Sequence, residues 1–89
     1  MMYPYMTLLD ETEIVHSQLI EEDGVKTVIV NFERATEDGF DNARCRLPDY
    51  KWLSVHGYSD EELRDFERLL SANAHLIYKY AANGGISIA

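Results

Sequence analysis

Few side chains in this 89-residue sequence have the types and spacing that catalysis or metal binding requires. The three histidines, His16, His56 and His75, are spread along the chain and lack the close spacing of a zinc site. Cys45, the only cysteine, falls on a predicted apolar face, which indicates an unreactive thiol. We therefore predict no catalytic residue, no metal site and no cofactor, and we expect a protein that is not an enzyme.

Binding chemistry is better represented, on one face of a predicted sheet. Arg44 and Arg46 offer forked donors that suit a carboxylate or a phosphate. Three isoleucines share this face, which indicates partial cover by residues 3–9 or by another subunit. The predicted ligand or partner contact surface consists of Ile14, His16, Ile20, Ile29, Asn31, Glu33, Arg44 and Arg46.

Three interpretations of this surface stay open. The pattern favours an ordinary solvated face with ion pairs between strands. The leading partner hypothesis is a homodimer in which two copies of the chain meet through this face, in a protein that acts by protein–protein contact. The third is a small-ligand-binding protein or minor enzyme, which needs a concave pocket around the polar patch of His16, Asn31, Glu33, Arg44 and Arg46.

A hairpin positions the first half of this surface. Asp23-Gly24 is a strong two-residue turn signal between residues 13–22 and 25–34. Pairing Glu22 with Val25 in an uninterrupted ladder would place Val15 opposite Phe32 and His16 opposite Asn31. Val15 would then face the core, and His16 would face away from it.

Residues 41–47 form the predicted third strand. A register with Ala43 opposite Phe32 also places Cys45 opposite Val30 and Leu47 opposite Val28. The predicted core face is then apolar apart from Ser17, and its members are Val15, Leu19, Val28, Val30, Phe32, Ala43, Cys45 and Leu47. Residues 50–55 form a predicted fourth strand, residues 3–9 an edge strand or a wrapped arm, and residues 86–88 a short tail strand.

One long helix over residues 60–83 supplies the cover for that core face. Ser59 and Glu62 have the spacing of a capping box, and Gly84 is placed to end the helix. Apolar residues recur at helical spacing between these two ends. The predicted fold is therefore a single α+β domain, residues 1–89, in which a three- to four-stranded antiparallel meander carries one C-terminal helix across one face.

The net charge of the chain indicates which classes of partner it could bind. Sixteen acidic residues against eight basic ones give a net charge of −8, which disfavours direct nucleic-acid binding. The same charge keeps a small domain soluble, and it would also suit an antitoxin-like regulator of a basic protein partner. The sequence shows no secretory signal and no apolar run long enough for a membrane, so we expect a cytoplasmic protein.

Two stretches of the chain, residues 32–41 (FERATEDGFD) and residues 73–81 (NAHLIYKYA), resemble short, uncharacterised bacterial proteins of a single domain. The resemblance covers most of the chain. It implies a small bacterial protein, and it carries over no activity, cofactor or functional residue.

Overall fold

The computed structural model describes residues 2–84, and these form one antiparallel sheet and one helix. The strands are β1 (Tyr3–Thr7), β2 (Glu13–His16), β3 (Ile20–Glu22), β4 (Val25–Thr36), β5 (Gly39–Leu47) and β6 (Lys51–His56), followed by helix α1 (Asp60–Ala82). Their order across the sheet is β1-β2-β4-β5-β6, with β3 also paired to β4. The α+β class and the antiparallel sheet are confirmed, whereas six strands replace the predicted three to four.

The additional strands come from two places. Residues 3–9 contribute the edge strand β1, the first of the two predicted alternatives, rather than a wrapped arm. The predicted strand over residues 13–22 is split into β2 and β3. The fourth predicted strand is present as β6, and the predicted tail strand at residues 86–88 lies outside the described residues.

The pairing of β4 with β5 follows the predicted register. Phe32 lies opposite Ala43, Val30 opposite Cys45 and Val28 opposite Leu47. All six of these side chains are fully buried, because alternate residues of a strand share one face and this face is covered by the helix. The rings of Phe32 and Phe66 of α1 stack with their centroids 4.1 Å apart, which places the helix over this side of the sheet.

The pairing of β2 with β4 differs from the predicted register by one residue. Glu22 does lie opposite Val25, but Val15 lies opposite Asn31 and His16 opposite Val30. A shift of one residue moves every side chain of a strand to the other face of the sheet. Ile14 and His16 are therefore buried on the helix side, and Val15 lies on the open side.

An extra residue between β2 and β3 produces this shift. The Ser17 hydroxyl accepts a hydrogen bond from the backbone N–H of Ile29 and donates one to the carbonyl of Gln18. The backbone N–H of Leu19 donates to the carbonyl of Ala81 in the last turn of α1, at 3.2 Å. The chain thus leaves the ladder for one residue, and Leu19 adds a donor from the sheet to the Ala81 carbonyl, which also accepts the backbone N–H of Gly84.

The ends of α1 are those that the sequence predicts. Glu62 donates its backbone N–H to the Ser59 hydroxyl, and its carboxylate accepts the backbone N–H of Ser59 in return. At the other end Gly84 has a φ of +76°, in the left-handed region that favours glycine. The part of the chain that the structure describes contains no helix with the length and apolar character to cross a membrane.

Arg34, at the far end of β4, connects three elements around the start of the helix. Its guanidinium donates to carboxylates of Asp41 on β5, Asp10 in the β1–β2 loop and Glu62 in the first turn of α1. It also lies 4.7 Å from the centroid of the Tyr58 ring. This cluster fixes the start of the helix to the sheet. The hydrogen bond from the Leu19 N–H to the Ala81 carbonyl joins the end of the helix to the segment between β2 and β3.

Candidate functional site

The outer face, which is the side of the sheet that α1 leaves uncovered, is the candidate site. Of the eight residues predicted to form a contact surface, six lie on it, as strand alternation and the observed registers require. They are Ile20, Ile29, Asn31, Glu33, Arg44 and Arg46. Whether they contact a ligand or a partner stays a prediction.

The placement of Ile14 and His16 on this face is wrong. Ile14 is 1% exposed and His16 is fully buried, both on the helix side. His16 Nδ1 lies 2.8 Å from the carbonyl of Ser17, and its ring packs near the rings of Tyr3 and Tyr5. Its other ring nitrogen makes no hydrogen bond to residues 2–84. His16 therefore belongs to the core and is removed from the predicted polar patch.

Val15 and Glu13 take the places of the two displaced residues. Val15 lies opposite Asn31 and Glu13 opposite Glu33, so both side chains point to the outer face. One signal in the sequence could have identified them. Ser17 was the single polar residue on an otherwise apolar predicted face, and in the structure its hydroxyl marks the point where the ladder is interrupted.

A hydrogen-bonded chain of three side chains crosses the centre of the outer face. Arg44 Nε donates to Asn31 Oδ1 at 2.9 Å, and Asn31 Nδ2 lies 3.5 Å from Glu33 Oε1. Asn31 is only 4% exposed although the helix does not cover it, because its neighbours on this face surround it. The amide orients the guanidinium and the carboxylate, and the remaining donors and acceptors of both groups stay directed to the outside.

Arg46 is held differently from Arg44. Its guanidinium forms a bidentate pair with Asp49, with distances of 3.1 and 2.7 Å. The hydrogen bond that Arg46 donates to Asp49 raises the pKa of Arg46, and the same bond lowers the pKa of the Asp49 carboxyl. Arg44 has no carboxylate partner among residues 2–84, so its charge is the less satisfied of the two.

Two open clefts lie at opposite ends of the outer face. One, of about 350 Å³, is lined in part by Glu13, Glu33 and Phe40. The other, of about 310 Å³, is lined in part by Thr27 and Arg46. Neither Asn31 nor Arg44 lines either cleft, so the hydrogen-bonded side chains lie on the open face between the two clefts. A small ligand bound to these side chains would therefore lie on a surface rather than in a pocket.

The remaining residues with reactive side chains are dispersed. Cys45 is buried in the core, on the apolar face where the sequence predicts it, and that burial raises the pKa of its thiol to about 12. His56 and His75 are exposed on different elements. Within residues 2–84, no three residues of His, Cys, Asp or Glu are arranged to hold a metal ion.

Comparisons with known proteins add nothing to this description, because no protein-family model, no curated protein and no solved structure matches the chain. The resemblance of residues 32–41 and 73–81 to short bacterial proteins stays a prediction. Function is therefore argued from the outer face itself.

Proposed function

We propose that this chain is a non-enzymatic protein that acts through protein–protein contact and forms a homodimer through its outer face. One observation carries the proposal. The face that the helix leaves uncovered combines the apolar side chains of Val15, Ile20 and Ile29 with the charges of Glu33 and Arg44, which have no ion-pair partner among residues 2–84. Apolar residues among polar ones are typical of a surface that a partner covers.

The three apolar side chains supply the association energy in this proposal. Ile20 is 37% exposed, and Val15 and Ile29 are half-buried, so a partner would complete their burial. Completing the burial of such a side chain contributes on the order of 1 kcal/mol. That gain is modest against the cost of association, so the charged residues around the apolar centre must also be paired in the dimer.

The oligomeric state tests the proposal. Sedimentation equilibrium at micromolar concentration should show a dimer for the wild-type protein and a monomer for Ile29→Asp, because the aspartate would bury an unpaired charge at the interface. Leu9→Asp is the matched control, since Leu9 is fully exposed in the β1–β2 loop and should not affect the dimer. A wild-type protein that is monomeric in this range contradicts the proposal.

Two further interpretations are weaker. An antitoxin-like regulator of a basic partner rests on the net charge of −8 alone, with no surface assigned to it. A small-ligand binder or minor enzyme loses His16, which lies beneath the helix. We also propose a cytoplasmic location, which the single unpaired cysteine supports.

A further inference from the structure

The outer face carries its charges in two separate regions. Glu13 and Glu33 lie opposite each other on β2 and β4. Arg44 and Arg46 lie two residues apart on β5, on the same side of the sheet. In the described part of the chain, Glu13, Glu33 and Arg44 form no ion pair. Arg46 is paired with Asp49, so Glu13, Glu33 and Arg44 are the charges of this face that stay free to meet a second molecule.

The registers fix where these side chains lie relative to Asn31. Arg44 and Val15 lie opposite Asn31 on the two neighbouring strands. The spacing between neighbouring strands of a sheet is about 4.8 Å. Glu33 and Ile29 lie two residues away along β4 in opposite directions, each about 6.7 Å from Asn31. Each charged residue thus has an apolar residue at the same distance on the other side of Asn31.

Two more charges occupy opposite corners of this arrangement. Glu13 lies opposite Glu33, two residues before Val15 on β2. Arg46 lies opposite Ile29, two residues after Arg44 on β5. The line from Glu13 to Arg46 therefore passes close to Asn31. The second diagonal runs from Asn42 through Asn31. Glu13 and Glu33 lie on one side of it, and Arg44 and Arg46 lie on the other.

We propose that two copies pack face to face about a two-fold axis that runs along that second diagonal and through Asn31; this rests on the homodimer proposed above. Rotation about this axis lays the strands of the second copy across the strands of the first. It places Glu33 over Arg44 of the second copy, and Glu13 over Arg46 of the second copy. The strands of the two sheets then cross at about a right angle, which is one of the two arrangements that packed sheets adopt.

The apolar and neutral residues fit the same axis. Val15 meets Ile29 of the second copy, so apolar side chains pack on each other. Asn31 and Asn42 lie on the axis, and neither carries a charge, so no like charges face each other there. The two spacings in the sheet, about 4.8 and 6.7 Å, leave offsets of about 2 Å between facing positions. The long arginine side chains can span such offsets.

The other symmetric orientations about Asn31 fit less well. An axis parallel to the strands places Arg44 over Val15, and an axis perpendicular to them places Glu33 over Ile29. An axis along the first diagonal brings Glu13 against its own copy, and Arg46 against its own copy. These orientations bury charges against apolar groups or like charges, which costs free energy. The proposed axis alone among the four pairs opposite charges.

Charge reversal tests the arrangement. Glu33→Lys and Arg44→Glu should each weaken the dimer by at least about tenfold, because each homodimer then contains two pairs of like charges. An equimolar mixture of the two variants should restore dimerisation, since both pairs in the mixed dimer have opposite charges. Sedimentation equilibrium measures the affinity, and native mass spectrometry identifies the mixed dimer.

Controls separate this prediction from a general effect of charge. Arg68→Glu, on the exposed side of α1, should leave the dimer unchanged. Circular dichroism verifies that each variant is folded, and Glu13→Lys mixed with Arg46→Glu supplies a second, independent pair. If both mixtures stay monomeric while the wild-type protein dimerises, the diagonal arrangement is wrong and the proposed homodimer stands. A monomeric wild-type protein removes the homodimer itself.

Discussion

Arg34 Nη1 lies 2.9 Å from Oε2 of Glu62, so a residue near the end of β4 holds the first turn of the helix. The same guanidinium donates to Asp10 and Asp41, and its side chain is 22% exposed. A charged group at this depth is stabilising only while its partners are present, because its removal leaves the Asp41 carboxylate, whose side chain is 17% exposed, without a cation. This cluster therefore supports the overall fold rather than the outer face.

We expect Arg34→Met to lower the free energy of unfolding by roughly 2–4 kcal/mol, since three carboxylates lose their cation while the aliphatic volume is kept. Urea denaturation followed by circular dichroism measures the change. Arg68→Met is the matched control. Its exposed pair with Asp65 should contribute less than about 0.5 kcal/mol. Equal effects of the two substitutions would contradict the role assigned to Arg34.

Acid should destabilise the protein through the carboxyls of Asp10 and Glu62. The backbone N–H of Thr12, and then Arg34, lower the pKa of Asp10; the backbone N–H of Ser59, and then Arg34, lower the pKa of Glu62. A folded-state pKa below the unfolded one gives stabilisation that is fully present above the unfolded pKa, near pH 4 to 5. That stabilisation is lost as the pH falls through the folded pKa.

Urea denaturation at a series of pH values from 7 to 3 measures this loss. We expect little change between pH 7 and 5 from these two groups, and a decline below about pH 4. Glu62→Gln should decline less steeply over the same range, because one of the carboxyls that takes up a proton on unfolding is absent. Identical slopes for the variant and the wild-type protein would show that Glu62 is not a source of the acid sensitivity.

The Cys45 thiol should react only when the protein unfolds. Burial raises its pKa to about 12, so the reactive thiolate is scarce at pH 8, and the side chain is also out of reach of solvent. A disulfide reagent such as Ellman's should label the native protein at least about 100-fold more slowly than the chain in concentrated guanidinium. Rapid labelling of the native protein would place this thiol outside the core.

Gly57 should tolerate no side chain. It has a φ of +90°, and a Cβ at this position would collide with the carboxylate of Asp41, which is itself bonded to Arg34. We expect Gly57→Ala to cost roughly 2–4 kcal/mol of unfolding free energy, from backbone strain and displacement of Asp41. Gly24→Ala is the control, because Gly24 has a φ of +80° and open space around its Cβ position. That variant should cost about 1 kcal/mol, from strain alone.

The sequence predicted the elements whose local signals agree with each other. The β4–β5 register was correct because three apolar pairs and the hairpin spacing indicate the same alignment. The helix was correct because Ser59, Glu62 and Gly84 mark its ends. These signals lie within short stretches of chain, where spacing alone decides which residues meet.

Features that depend on distant residues were not predicted. Beside the interruption at Ser17, Leu19 bonds to Ala81 of the helix, a contact between residues far apart in the chain. Val15 was consequently assigned to the wrong face. The Arg34 cluster likewise joins Asp10, Asp41 and Glu62 from three separate elements. No periodicity in the sequence indicates such contacts.

The extra residue between His16 and Ile20 has a consequence for how chains of this fold could vary in length. Loss of one residue there would let β2 and β3 form a continuous ladder with every side chain of β2 still on its present face. The core would keep its composition, and the helix end at Ala81 would lose its donor from the sheet. A single deletion inside β4 would instead invert one part of that strand relative to the rest, so a one-residue deletion should be tolerated better at Ser17–Leu19 than inside β4.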